Sequence, residues 1–181
     1  MILVTGGAGF IGSNLLAALE IQGRTDVLVC DRLGKEGEDI KWKNIADKNI
    51  RGIITPELLF DHIRKNKLGI DTVFHMGAIS DTTETDVSKL IQNNFLFSMK
   101  LWKWCASNKV QFIYASSAAT YGKGLSGFDD NPNNLEKLRP LNYYARSKHL
   151  VDRLINGRIH RGIESPPQTV GLKFFNVYGP N

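Results

Sequence analysis

Gly6, Gly9 and Gly12 fall within eight residues that join a short apolar run, Ile2-Leu3-Val4-Thr5, to a stretch where Ile11, Leu15, Leu16 and Leu19 recur at helical spacing. A strand that turns straight into a helix needs a backbone without side chains at three places. The first glycine permits the tight turn, the second lets a ligand approach the main chain, and the third lets the helix pack closely on the strand. The helix start then offers unpaired N–H groups and a positive dipole end to an anion. A second apolar run, Val27-Leu28-Val29-Cys30, ends at Asp31, 19 residues after Gly12, where an acid can hydrogen-bond adenosine ribose hydroxyls. This pattern reads as a βαβ unit for the pyrophosphate of NAD or NADP. The acid argues for NAD. Arg32, with Lys35 or Lys41, offers cations to a 2′-phosphate and tilts the reading towards NADP.

The first strands are continuous apolar runs, as in a parallel sheet covered on both faces. The pattern predicts an α/β fold, a Rossmann-type doubly wound parallel sheet with helices on both faces. Residues 10–22 read as a helix. Residues 32–55 read as a loop with a short strand near Ile45 or Ile50. A helix over 56–67, begun by Pro56, and a strand over 71–75 follow. Residues 86–107 carry the strongest helical periodicity. A strand over 111–116, a long polar loop over 122–142, a helix over 143–159 and a strand over 169–175 complete the order. The expectation is one cofactor-binding domain over residues 1–181 that stops before a substrate-binding part, as a fragment would.

Composition narrows the class. The chain is 42% hydrophobic with a formal charge of +5, and its basic residues are scattered, so no nucleic-acid arm is expected. No apolar stretch is long enough to cross a membrane and no leader pattern opens the chain. Cys30 and Cys105 lie in apolar runs without metal-ligand spacing and read as buried thiols of a reducing, cytoplasmic compartment.

Two further segments carry chemistry. Tyr144 and Lys148 are four apart on a predicted helix and so share a face. A nearby ammonium favours the phenolate, which makes Tyr144 a usable proton acceptor for an alcohol being oxidised. Ser116-Ser117-Ala118-Ala119 directly follows a strand, at the carboxyl end where open α/β sheets bind ligands. A serine there can hydrogen-bond the reacting oxygen, or simply cap the next turn. His75-Met76-Gly77-Ala78-Ile79-Ser80 ends another strand, with Gly77 and Ala78 small enough for a cofactor to approach. His75 reads as a packed, hydrogen-bonded histidine. Asn93 and Asn94 are poor helix formers, so at least one should bond a neighbouring loop. Trp102 and Trp104 read as packing residues.

TGGAGFIGSN, YASSAATYG and YYARSK together resemble the extended short-chain dehydrogenase/reductase family over the whole chain. Phe74 to Ser80, Thr82-Thr83-Glu84, Asn93-Asn94-Phe95 and Phe174 to Pro180 are most similar to its branch that epimerises C6″ of an ADP-linked heptose, in making lipopolysaccharide core. The resemblance implies an isomerase with tightly bound NADP, or NAD, that oxidises the sugar and returns the hydride to the other face. It assigns Tyr144 as acid/base, Lys148 as its support and a cofactor contact, and Ser117 as holder of the substrate oxygen. It places Gly6, Gly9, Phe10, Ile11, Gly12, Asp31, Arg32, Lys41, Met76 to Ser80, Asn93 and Val177 at the cofactor, and Asn176 at the nucleotide sugar. It implies a homo-oligomer for the full-length protein, and a second acid/base lysine downstream of Asn181, so that this chain alone should not complete epimerisation. Met76 stands where the branch usually has Glu, Ile79 where it has Cys, and the loop after Asp31 is longer. A 4-epimerase on a UDP-sugar remains an alternative. A dehydratase is disfavoured because Ala118-Ala119 replaces an Asp-Glu pair. A non-catalytic redox sensor is disfavoured because Ser117, Tyr144 and Lys148 occur together.

Overall fold

The computed structural model describes residues 1–34, 41–66 and 68–179. They fall into two compact units: the described residues up to Gly77 together with 177–179, and residues 78–176. Lys35, named above as a possible 2′-phosphate ligand, lies outside the described residues, as does Lys67 at the expected end of a helix.

The first unit holds β1 (Ile2–Thr5), α1 (Phe10–Ile21), β2 (Val27–Cys30), β3 (Gly52–Ile54), α2 (Pro56–Asn66) and β4 (Thr72–His75). The strands are parallel in the order β3-β2-β1-β4, with Leu3 level with Leu28 and Val73. Every residue of β1 and β2 is buried, the pattern of strands covered on both faces. Ile2, Val4, Val27 and Val29 on one face pack against Leu16 and Leu19, the apolar stripe of α1. Ile45 joins this core, but not as a strand residue. It follows a 3-10 turn over Lys41–Asn44, and β3 begins only at Gly52. The expected strand near Ile45 or Ile50 is therefore displaced. Ile45 is the buried apolar anchor of this polar loop, with Leu33 and Ile50 packed against the same core, while the register of residues 52–54 against 28–30 decides where pairing starts.

The second unit holds α3 (Val87–Leu90), α4 (Phe97–Asn108), β5 (Gln111–Ser117), α5 (Tyr143–His160) and β6 (Thr169–Phe174). β5 and β6 are parallel, with Ser116 opposite Lys173. The expected single helix over 86–107 is divided. Asp86 caps its start by accepting the Lys89 N–H, but residues Ile91–Leu96 wind as a π-helix before α4 resumes. The wider turn falls around the buried Asn94, whose amide is tied to residues outside its own helix. The helix ends where Lys109 adopts φ 58°, a left-handed cap. The loop over 122–142 is also more ordered than its composition suggests. It contains a 3-10 turn, Pro132–Lys137, and buries Leu135 and Leu138 against Tyr121.

Cys30 and Cys105 are free and buried, and burial pushes both thiols up to about 12. Among the described residues no helix is long and apolar enough to cross a membrane.

Candidate active site

The glycine turn has the geometry of a cradle. Gly6 takes φ +68°, and a Cβ there would lie 2.5 Å from the Gly77 Cα. A Cβ on Gly12 would overlap the Gly6 carbonyl oxygen, so α1 meets the turn backbone to backbone. Gly9 is the N-cap of α1 and, among the described residues, no side chain caps the helix. The first N–H groups of α1, at Phe10, Ile11 and Gly12, are thus left for an external acceptor. An uncapped helix start behind a turn of three glycines and one alanine fits the pyrophosphate of a dinucleotide.

Asp31 ends β2 and is 7% exposed. Its Oδ2 accepts the Ala8 N–H at 3.0 Å and its Oδ1 accepts the Arg32 N–H at 2.7 Å. The acid is therefore locked to the glycine turn itself. Asn44 adds a strap that the sequence did not reveal, donating from Nδ2 to the Ala8 carbonyl at 2.9 Å. Lys41 brings Nζ to 3.4 Å from Asp31 Oδ1. The guanidinium of Arg32 is turned to Glu57 on α2, with Nε donating at 2.9 Å. Both cations thus stand around the end of β2, one on Asp31 and one on an exposed acid.

At the end of β4, His75 is buried and its Nδ1 lies 2.6 Å from Thr5 Oγ1, the packed role expected of it. The same hydroxyl accepts the Gly77 N–H at 3.2 Å. Gly77 thereby sits against Gly6, with Met76 half-buried before it. Val177 belongs to this unit too, and the chain two residues on, at Gly179, passes within van der Waals reach of the Phe10 ring.

The second unit holds Tyr144, Lys148 and Ser117, the residues expected to act in proton transfer. Asn142 caps α5 by accepting the Ala145 N–H at 2.7 Å, which fixes Tyr144 in the first turn and Lys148 one turn later. Tyr144 and Lys148 are both buried, 9% and 5% exposed. Lys148 Nζ donates to the Ala115 carbonyl of β5 at 2.8 Å, and burial lowers its pKa to about 8, opposed by the Asp152 carboxylate. Ser117, at the end of β5, accepts the Ala119 N–H at 3.1 Å. It is therefore the cap of the next turn, and that bond occupies a lone pair and leaves its O–H proton for a second partner.

Asn94 is the member of the asparagine pair that clamps a loop. Its Oδ1 accepts the Ile79 N–H at 2.8 Å, and its Nδ2 donates to the Ile79 carbonyl at 3.0 Å and to Ser147 Oγ at 3.0 Å. Ser147 in turn donates to the Tyr144 carbonyl at 2.7 Å. One buried amide thus joins the 78–80 segment to the first turn of α5. The Asn93 amide instead donates to the Lys89 carbonyl on its own helix. Ala78 and Ile79 are half-buried, and Ser80 and Asn176 are exposed.

Sequence reasoning passed over Asp152 and Lys173. Asp152 lies one turn beyond Lys148 and accepts from Tyr114, Ser116 and Lys173 at 2.7–2.9 Å. An acid two turns after Tyr144 on the same helical face, with Ser116 as a polar residue in an apolar strand, was the available signal.

A parallel α/β fold with a glycine turn at an uncapped helix start and an acid after β2 defines the dinucleotide-binding class. More particularly, the chain belongs to the NAD dependent epimerase/dehydratase family, whose profile matches residues 2–181. An ADP-L-glycero-D-manno-heptose-6-epimerase of Fusobacterium nucleatum is 45% identical over 184 residues, which cover 99% of this chain and 53% of that protein. The crystal structure of the Helicobacter pylori ADP-L-glycero-D-manno-heptose-6-epimerase superposes with a TM-score of 0.80 at 32% identity, covering 99% of this chain and 56% of that one. That likeness establishes the Rossmann-type doubly wound fold. A Thermus thermophilus UDP-glucose 4-epimerase in complex with NAD gives 0.76 at 27% identity, over 99% and 56%. The chain spans about half the length of these relatives.

Proposed function

We propose that this chain carries the dinucleotide-binding and proton-transfer residues of a nucleotide-sugar epimerase of the ADP-heptose 6-epimerase type. The observation that carries the reading is the placement of Tyr144 and Lys148, both buried one turn apart on α5, with Lys148 anchored two residues before Ser117. The 45% identity with the Fusobacterium nucleatum protein supports the heptose branch over others.

A nicotinamide dinucleotide, when bound, supplies the hydride acceptor for the sugar carbon and then the hydride donor. The cradle of Gly6, Gly9 and Gly12 receives its pyrophosphate on the N–H groups that open α1, with Asp31 beside it for the adenosine ribose. By the family likeness, Phe10, Ile11, Met76, Gly77, Ala78, Ile79, Ser80, Asn93 and Val177 serve the cofactor. Asn176 contacts the nucleotide sugar. Ser117, whose lone pair is held by the Ala119 N–H, donates its proton to the sugar oxygen. Tyr144 takes the proton from that hydroxyl during oxidation and returns it after reduction. Lys148 remains an ammonium at neutral pH, because its pKa of about 8 lies above it, and stands one turn from Tyr144 on α5.

The same reading selects NADP over NAD. Arg32 and Lys41 flank the end of β2, and the Arg32–Glu57 pair is exposed, with side chains 58% and 57% accessible. An exposed ion pair is weak, so a 2′-phosphate can displace Glu57 at little cost.

Incubation of the full-length protein with ADP-D-glycero-D-manno-heptose, with C6″ followed by NMR, should show inversion that Tyr144→Phe abolishes. Inversion of a UDP-sugar at C4 with none on the heptose would overturn the assignment in favour of the 4-epimerase reading.

A further inference from the structure

One buried carboxylate of the second unit has no part in the proton transfer just described. The Asp152 carboxylate accepts Tyr114 Oη at 2.9 Å on one oxygen, and Ser116 Oγ at 2.7 Å and Lys173 Nζ at 2.8 Å on the other. Lys173 also donates to Thr120 Oγ1 at 2.7 Å, and Thr120 donates to the Ser117 carbonyl at 2.8 Å. The two side chains are 5% and 13% exposed. A buried ion pair is a poor way to stabilise a fold, since apolar side chains of similar volume often do as well or better. What this pair provides is location. Tyr114 and Ser116 are the neighbours of Ala115, whose carbonyl receives Lys148. The branch through Lys173 and Thr120 ends on the backbone of Ser117.

We propose that Asp152 and Lys173 are positioning residues for the proton transfer: the pair locks residues 115–120, which carry the acceptor of Lys148 and the Ser117 hydroxyl, onto the helix that carries Tyr144 and Lys148. The inference rests on the proposed role of Ser117, Tyr144 and Lys148. Helix α5 alone fixes the spacing of Tyr144 and Lys148, but nothing within α5 fixes Ser117. The distance from a strand-end hydroxyl to a helix is a tertiary quantity, and misplacement by about 1 Å is enough to lose roughly a hundredfold in rate. The charge of Asp152 acts in the same direction, since it favours the ammonium form of Lys148 against burial.

The test replaces the pair without leaving a lone buried charge. The double variant Asp152→Asn/Lys173→Met is compared with wild type and with Lys173→Arg, which keeps the ion pair. In the lysine-labelled chain near pH 6, the Lys148 ammonium should give a slowly exchanging 1H–15N side-chain signal because of its bond to Ala115, identified by its disappearance in Lys148→Arg. The signal should be lost or moved in the double variant and kept in Lys173→Arg. In the full-length protein, kcat of the double variant on the nucleotide sugar should fall about a hundredfold with KM within twofold. If the double variant does not fold, Tyr114→Phe and Ser116→Ala each remove one donor to Asp152 and should shift the signal in the same sense. A folded variant with an unchanged Lys148 signal overturns the proposal. Absence of turnover by the full-length protein on any nucleotide sugar would count against the epimerase reading instead, and would leave the spectral result standing.

Discussion

Lys148→Met should make this chain more stable while removing its chemistry. Lys148 is 5% exposed, and burial brings its pKa down from 10.5 to about 8. Holding that ammonium in the folded state therefore costs up to about 3 kcal/mol at pH 7. Methionine fills a similar linear volume without charge. It also forfeits the bond from Nζ to the Ala115 carbonyl, worth about 1–2 kcal/mol for a charged donor. The balance is a gain of about 1–2 kcal/mol, which for a chain of this length raises Tm by roughly 2–8 °C. The pH dependence has a definite sign. Between pH 8 and 10.5 the unfolded chain holds the Lys148 proton more tightly than the folded one, so wild-type stability rises with pH in that window. The advantage of the methionine is therefore complete below about pH 8 and shrinks towards pH 10.5. Urea titrations of both proteins from pH 7 to 10 measure the difference directly. A variant less stable than wild type at pH 7, or a difference that stays flat across the range, would refute the reasoning.

Three other outcomes follow from the same geometry. Gly12→Ala drives a Cβ into the Gly6 carbonyl, so the turn must open; dinucleotide affinity by calorimetry should fall at least tenfold and Tm should drop. Arg32→Ala with Lys41→Ala should weaken NADP about tenfold or more and leave NAD within about twofold, each exposed cation being worth roughly half a decade to a decade on a phosphate; equal losses for both would contradict a 2′-phosphate site. His149 is buried with Nδ1 unpartnered among the described residues, and burial lowers its pKa below the usual 6.5. The unfolded state then binds its proton first as pH falls, so Tm should decline as the pH drops below about 6.5, and less so in His149→Leu.

The cofactor half of the candidate site was legible because its chemistry is local. Gly6, Gly9 and Gly12 sit in one turn, and Asp31 lies one βαβ unit away, so strand, helix and acid could be placed from spacing alone. Tyr144 and Lys148 were legible for the same reason, being four apart on one helix. The elements that were misplaced depend on partners distant in the chain. The strand expected near Ile45 or Ile50 lies at Gly52–Ile54, because pairing with Leu28 to Cys30 chooses the register. The π-helix at Ile91–Leu96 puts Asn94 within reach of Ile79 and Ser147, 15 and 53 residues away, and helical periodicity carries no signal of that.

The sequence by itself determined the βαβ cradle, the family likeness and the two residues on α5 that share a face, since each follows from backbone conformation over a few turns. Only the tertiary structure decided how those residues are held. Asn44 on Ala8, Asn94 on Ile79, Lys148 on Ala115, and Asp152 with Lys173 around Ser116 and Thr120 are contacts between distant segments. Buried polar groups must find partners wherever the fold brings them, and which partners those are is fixed by strand register and helix placement.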